Sequence, residues 1–307
     1  MDTTLPLFLL HIMDGYSFRN TIGIIKSETE YATALLSEKS IEISFMNSSK
    51  CAVHKILLNT QEFTMYRYNI RDSGGNLIPQ FPIAFETNEM FNTTKSIGRR
   101  DGIRLYLLPG DNKINVQPIK TTTKDPGRAG ALFVKILTME HIRYDTGVYN
   151  VDPNVRVQTK DFADLCSQAN TLKCTSLDIL GHPNAVTFRG ILANQTVASV
   201  SRFVSQTDVP KTQKSLANMD EIDNLLGQLR IVDIPQTSGI NLNIVKSEDL
   251  LTIKVPIATV KALSKIHNIS PSGTLLRFYF SEGKPTKLES PIGTYGSYSI
   301  YLRNPRS

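Results

Sequence analysis

Arg19 and Lys26 lie seven residues apart, two helical turns, and so share one face of any helix that spans them. Lys95 and Arg99 are four apart with Arg100 beside them, and Lys261 and Lys265 repeat that spacing ahead of His267. In each stretch the opposite face is apolar. Cationic groups aligned in this way suit phosphate oxygens, which they hold by charge without reading bases. A single solvated helix face carries lysines too. Recurrence on separate helices is less ordinary, and points to one shared surface for a polyanion. Nothing resembles base readout: helix-turn-helix, zinc-finger and aromatic stacking motifs are absent from the sequence.

Residues for covalent or metal chemistry do not converge. There is no phosphate loop, GxGxxG, GxSxG or HExxH. Cys166 and Cys174 are too far apart for a zinc knuckle, the histidines are scattered, and Cys166 reads as a small core hydrophobe. The sequons at Asn47, Asn92, Asn194 and Asn268 read as chance matches in an Asn/Thr-rich chain. The expectation is a protein that is not an enzyme and needs neither cofactor nor metal.

The chain has 307 residues, 40% hydrophobic and 20% charged, which suits one large or two medium globular domains. The net charge of +6 permits a polyanionic partner, and three cysteines exclude a disulfide scaffold. No apolar run reaches the ~18 residues of a membrane span. The apolar start, Leu5 to Met13, has Asp2 ahead of it and His11 within it, so it reads as a first strand rather than a signal peptide. The protein is therefore expected not to be secreted.

Two halves show one order of elements. The first has a strand at Leu7–Met13, a helix from Tyr16 to about Leu36, and strands at Ile41–Phe45, Val53–Leu58 and Phe63–Tyr68. A second helix follows from about Glu86 to Ile97, then strands at Ile103–Leu108, Ile114–Ile119 and Ala131–Leu137. The second half has a strand at Val155–Gln158, a helix from Lys160 to about Leu172, and strands at Ser176–Leu180, Ala185–Leu192 and Val197–Ser205. A helix at Ile257–His267 and strands at Thr274–Ser281, Thr286–Ser290 and Tyr295–Leu302 complete it. The class is α+β with mostly antiparallel sheets and two helices in each half. Domains are expected at 1–137 and 154–307, joined by a connecting stretch at 138–153. An insertion at 206–239 has no counterpart in the first half.

The segment Ser40–Met46 with Asn47-Ser48-Ser49 resembles the strand and turn of sliding clamps of the proliferating cell nuclear antigen type. Phe63–Tyr68, Asp101-Gly102-Ile103-Arg104-Leu105, Val155–Phe162 and the terminal Tyr301-Leu302-Arg303-Asn304-Pro305 are similar to further segments of that family. The resemblance implies a head-to-tail homotrimeric ring around duplex DNA, with helices lining the hole and sheets outside. It implies a processivity factor that contacts DNA regardless of sequence and holds a DNA polymerase and other replication proteins. Met46, Ile142, Tyr144, Pro285, Tyr301 and Leu302 would form a pocket for partner peptides with an apolar and aromatic box. Ala131, Leu132, Phe133 and Val134 would pair across the subunit boundary with Val197, Val200 and Phe203 of the next copy.

The chain departs from the family in being basic and longer. Its first helix of the second half offers Asp164 and Ser167 where the family tends to show arginines, leaving Lys160 and Lys173 near the helix ends. This divergence fits a clamp of a large DNA virus, working in the nucleus or at a cytoplasmic replication site. Two rivals stand: a monomeric or dimeric clamp-like DNA-binding processivity or late-transcription factor, and an interaction module without a DNA role.

Overall fold

The computed structural model describes residues 5–120, 132–139, 141–149, 152–182, 185–204, 251–281 and 283–303. The insertion at 206–239 and Ala131 lie outside them.

In the first half β1 (Phe8–Ile12) leads into α1 (Gly15–Glu28), followed by β2 (Tyr31–Leu36), β3 (Ser40–Met46), β4 (Ala52–Asn59) and β5 (Met65–Tyr68). Then come β6 (Phe81–Glu86), α2 (Thr87–Thr94), β7 (Gly102–Leu107), β8 (Lys113–Ile119) and β9 (Leu132–Lys135). The second half has β10 (Val155–Gln158), α3 (Thr159–Thr171), β11 (Ser176–Gly181), β12 (Ala185–Ile191) and β13 (Val197–Val204). It closes with β14 (Leu251–Pro256), α4 (Ile257–Leu263), β15 (Leu275–Tyr279), β16 (Thr286–Ile292) and β17 (Gly296–Leu302). The α+β class and its antiparallel sheets are as expected.

The order contains one unit four times over: strand, helix, three strands. The units are β1-α1-β2-β3-β4, β6-α2-β7-β8-β9, β10-α3-β11-β12-β13 and β14-α4-β15-β16-β17. Their pairing is regular too. The central sheet runs β10-β15-β16-β17-β4-β3-β2-β6, so it joins the two halves of the chain through the antiparallel pair β17–β4. A second sheet runs β5-β1-β7-β8-β9 and a third β13-β12-β11-β14.

Alternation explains the central sheet. On one face the row Phe45–His54–Ile300–Leu288–Phe278–Val155 crosses six strands and is buried throughout. The next row, Ser44–Lys55–Ser299–Glu289–Arg277–Arg156, lies on the other face, and its members are mostly polar side chains with solvent access. The helices lie on the buried side. Phe18, Ile22 and Ile25 of α1, and Phe162, Leu165, Cys166 and Ala169 of α3, are all buried. Each large apolar side chain buried in this way contributes about 1.5–3 kcal/mol.

Several boundaries differ from expectation. Asp14 caps α1 by accepting from Ser17 N at 3.0 Å, and the helix ends at Glu28, where Thr29 turns to extended backbone. Residues expected to continue it form β2, which is buried at every residue but Tyr31. A strand covered on both faces has no polar alternation, so its spacing imitates a helix. The strand expected at Ala131–Leu137 is described as Leu132–Lys135. α2 stops at Thr94, and the helix expected to reach His267 is α4 followed by a 3-10 turn at Ile266–Asn268. Strands β6 and β14 are additions to the expected order. Among the described residues no helix is long and apolar enough to cross a membrane, and no three His, Cys, Asp or Glu side chains are grouped to hold a metal ion.

Candidate nucleic-acid interface and partner surface

α1 packs on α2, α4 packs on α1, and α3 packs on α4, so the helices form one layer in the order α2–α1–α4–α3. Both halves contribute, and the joint between α1 and the end of α4 is tied by Asn20 Nδ2 donating to Asn268 O at 3.1 Å. An open cleft of ≈ 360 Å³ lies there, lined by Arg19, Asn20, Gly23, Lys26, Ser27, Phe91, Lys265 and Asn268. Three of the expected cationic residues therefore meet in one place. Lys26 Nζ stands 4.5 Å from the centre of the Phe91 ring, which supports the ammonium through its π face. Gly23 admits that ring to α1: a Cβ there would lie 3.1 Å from Phe91 Cε2.

Arg19 differs from expectation, because its guanidinium is already engaged. Nη1 donates to Ile97 O at 2.7 Å and approaches Lys95 O at 3.5 Å, so it satisfies carbonyls beyond the end of α2. It also lies over Tyr16 at 5.0 Å, with Arg99 over the same ring at 5.8 Å. Lys26, Lys95, Arg99, Arg100, Lys261 and Lys265 are exposed. Lys160 is exposed at the start of α3, and Lys173 follows that helix at φ 58°. The outer face of α3 also exposes Asp161 and Asp164, so positive charge is concentrated toward α1, α2 and α4.

Among the described residues β9 and β13 are end strands of their sheets, each pairing on one side only. Leu132 is 48% and Phe133 57% exposed, and Val197, Val200 and Val204 of β13 are also open. Val134 differs: it is fully buried within its own protomer, and Phe203 is half-buried against the core. Ala131 lies outside the described residues.

No family model matches the chain, and no curated protein matches it in sequence. Solved structures do. The proliferating cellular nuclear antigen of Entamoeba histolytica superposes with a TM-score of 0.68 at 12% identity, over 98% of this chain and 99% of that one. The PCNA2–PCNA3 complex of Sulfolobus tokodaii gives 0.67 at 12% identity, over 97% of this chain and 100% of the matched chain. This protein has the sliding-clamp fold.

On the face of the clamp's central sheet away from the helices, the row beside the polar one reads Met46–Val53–Tyr301–Lys287–Tyr279, across β3, β4, β17, β16 and β15, with Tyr279 and Tyr301 themselves buried. It joins two expected pocket residues, Met46 and Tyr301, on one strip, while Leu302 points into the core. Pro285 sits at the start of β16. The connecting stretch reaches the strip through Tyr149, a residue outside the expected pocket. Its hydroxyl donates to Pro285 O, and its ring lies 6.1 Å from Tyr279 and 6.0 Å from Tyr301. Ile142, expected in the pocket, is 60% exposed, and Tyr144 is half-buried in the same stretch; neither is the residue that holds Pro285. Loop sequence has no period, so nothing in it distinguishes Tyr149 from Tyr144.

Proposed function

We propose that this clamp closes head to tail with copies of itself into a ring around duplex DNA, and serves as a non-catalytic processivity factor for a DNA polymerase. The observation that carries the reading is the pairing pattern of the four units. The last strands of the first and fourth units, β4 and β17, pair within the chain. The last strands of the second and third, β9 and β13, are apolar edges that pair on one side only among the described residues. Joining β9 of one copy to β13 of the next gives β1-β7-β8-β9 followed by β13-β12-β11-β14, which repeats the plan of the central sheet. Open apolar edges invite uncontrolled pairing, and a closed ring removes them. The complex of two clamp chains from Sulfolobus tokodaii supports association between such chains.

In such a ring the helix layer faces the hole, and Lys26, Lys95, Arg99, Lys261 and Lys265 meet phosphates of any sequence. Weak, delocalised contacts of this kind let a protein slide. Three copies is the number the resemblance implies, with the halves as repeated domains and residues 138–153 as the connector. The solvent strip from Met46 to Tyr279 then serves as the partner-peptide surface. Light scattering coupled to gel filtration tests the ring: a mass near three times 34.2 kDa is expected. A monomer whose mass does not change with concentration would remove it.

A further inference from the structure

Tyr149 stands where a partner's side chain would stand. Its ring packs edge-on against Tyr279 and tilted against Tyr301, two members of the solvent strip. Lys284 Nζ lies 5.6 Å and Lys287 Nζ 6.0 Å from the ring centre, and the hydroxyl is satisfied by Pro285 O. Burial and the neighbouring Tyr301 push the phenol up to about 12, so it remains a donor at any working pH. The seat is thus complete for a hydroxyl-bearing aromatic ring: two aromatic walls, two cations and one acceptor.

The tether is slight by comparison. Val148 is 67% exposed, Gly147 is exposed at φ +69°, and Ile142 and Arg143 face solvent. Lys284 Nζ donates to Val148 O at 2.9 Å, and Arg143 Nη2 donates to Gln80 Oε1 at 2.8 Å, both at the surface. Thr146 is buried and anchors the stretch, but Gly147 supplies a backbone pivot just after it, so Val148 and Tyr149 can leave while Thr146 stays.

We propose that Tyr149 is a resident occupant of the partner seat, and that a partner peptide binds by displacing it with a tyrosine side chain of its own. The proposal rests on the reading of the solvent strip as the partner surface. A ring already in place lowers apparent affinity by the fraction of molecules in which the seat is vacant. The clamp is then guarded against weak aromatic ligands, and selects peptides whose remaining contacts, on Met46 and Val53, outweigh the exchange. Departure of Tyr149 also frees Lys284 from Val148 O, so an acidic residue beside the anchor gains a partner.

Two probes separate the seat from the partner reading. The first is p-cresol, the tyrosine side chain itself, titrated by NMR into the wild type and Tyr149→Ala. The second is a synthetic peptide carrying one tyrosine and a flanking apolar residue, titrated by calorimetry into both. Tyr149→Ala is expected to bind p-cresol roughly tenfold more tightly than the wild type does. It is expected to bind the peptide roughly tenfold more tightly, the factor for a seat vacant in about one molecule in ten. Peptide binding that is unchanged or weakened makes Tyr149 a wall of the pocket and overturns the proposal. Failure of Tyr149→Ala to bind p-cresol overturns the seat itself. Uptake of p-cresol with no peptide binding to either protein leaves the seat in place but removes the partner surface, and the displacement with it. Should the alanine variant unfold, Tyr149→Phe keeps the ring and loses the bond to Pro285 O. A gain of roughly two- to fivefold in peptide affinity is then expected, and none overturns the displacement.

Discussion

Replacing Glu28 with glutamine should stabilise the protein at neutral pH. Glu28 ends α1 with its side chain buried, and Oε2 lies 3.6 Å from Nε2 of His54, which is itself fully buried. The other ring nitrogen, Nδ1, is 2.6 Å from the Tyr298 hydroxyl, and His54 is stacked on Phe45. Burial raises the Glu28 carboxyl from 4.5 to about 7, opposed by the Asn47 side chain and by Lys265. Burial also holds His54 down, from 6.5 to about 3. A folded carboxyl raised in this way contributes stability that is fully present below 4.5 and is lost as pH rises through 7. The separation from 4.5 to about 7 amounts to about 3 kcal/mol. Glutamine mimics the protonated acid, so Glu28→Gln should gain about 3 kcal/mol at pH 8 and nothing at pH 4.5. His54 works in the opposite sense: the unfolded chain takes up its proton below 6.5 and the folded chain does not until about 3, so stability is lost as pH falls through that window. In the wild type the two slopes offset each other between 4.5 and 6.5. In the variant the His54 slope stands alone, about 1.4 kcal/mol per pH unit. Urea unfolding followed by circular dichroism from pH 4.5 to 8 measures both. Destabilisation at pH 8 by several kcal/mol would refute the reasoning, because it would mean that Glu28 and His54 form a true buried ion pair.

Other outcomes follow from the same geometry. Neutralising Lys26, Lys261 and Lys265 together should flatten the salt dependence of duplex binding by up to ~2–3 in log–log slope, equally on two unrelated sequences, because each phosphate contact contributes about 0.9. An unchanged slope would place these lysines away from DNA. Leu132→Asp or Phe133→Asp should lower the mass seen by light scattering while circular dichroism is retained. Val134→Asp, which buries an unpaired carboxyl in its own protomer, should instead cost several kcal/mol of folding stability in urea titration. Under native conditions a thiol reagent should label Cys51 alone, since Cys166 and Cys174 are buried and burial raises both thiols; rapid loss of a second thiol would contradict the packing of α3 at Cys166 or of the turn after it at Cys174.

Strands with one wet face are legible in the sequence alone. In β4 and β16 the alternation marks the buried row directly, and Arg19 and Lys26 do share one side of α1. The features that sequence does not disclose are hidden for physical reasons. β2 is covered on both faces and carries no alternation. β14 is the exception, because it does alternate, with Ile253 and Val255 inward and Thr252 and Lys254 between them, so its signal is there to be read. The engagement of Arg19 with Ile97 O spans 78 residues, and the contact of His54 with Tyr298 spans 244. Local spacing has no reach over such distances. Phe91 is invisible in sequence as a support for Lys26 because the contact needs two helices side by side, with Gly23 between them.

The pair β4–β17 has a mechanical meaning. It joins seven residues on each strand and is backed by the buried His54–Tyr298 contact, so the junction of the two halves is riveted like any interior pair of the central sheet. β9 and β13, by contrast, end their sheets, so a neighbouring copy is held there only by contacts between chains. Load on a ring built from such chains falls on its weakest ladder. The ring would part at the seam between copies, while each chain stays rigid across its midline and swings away as a single arm.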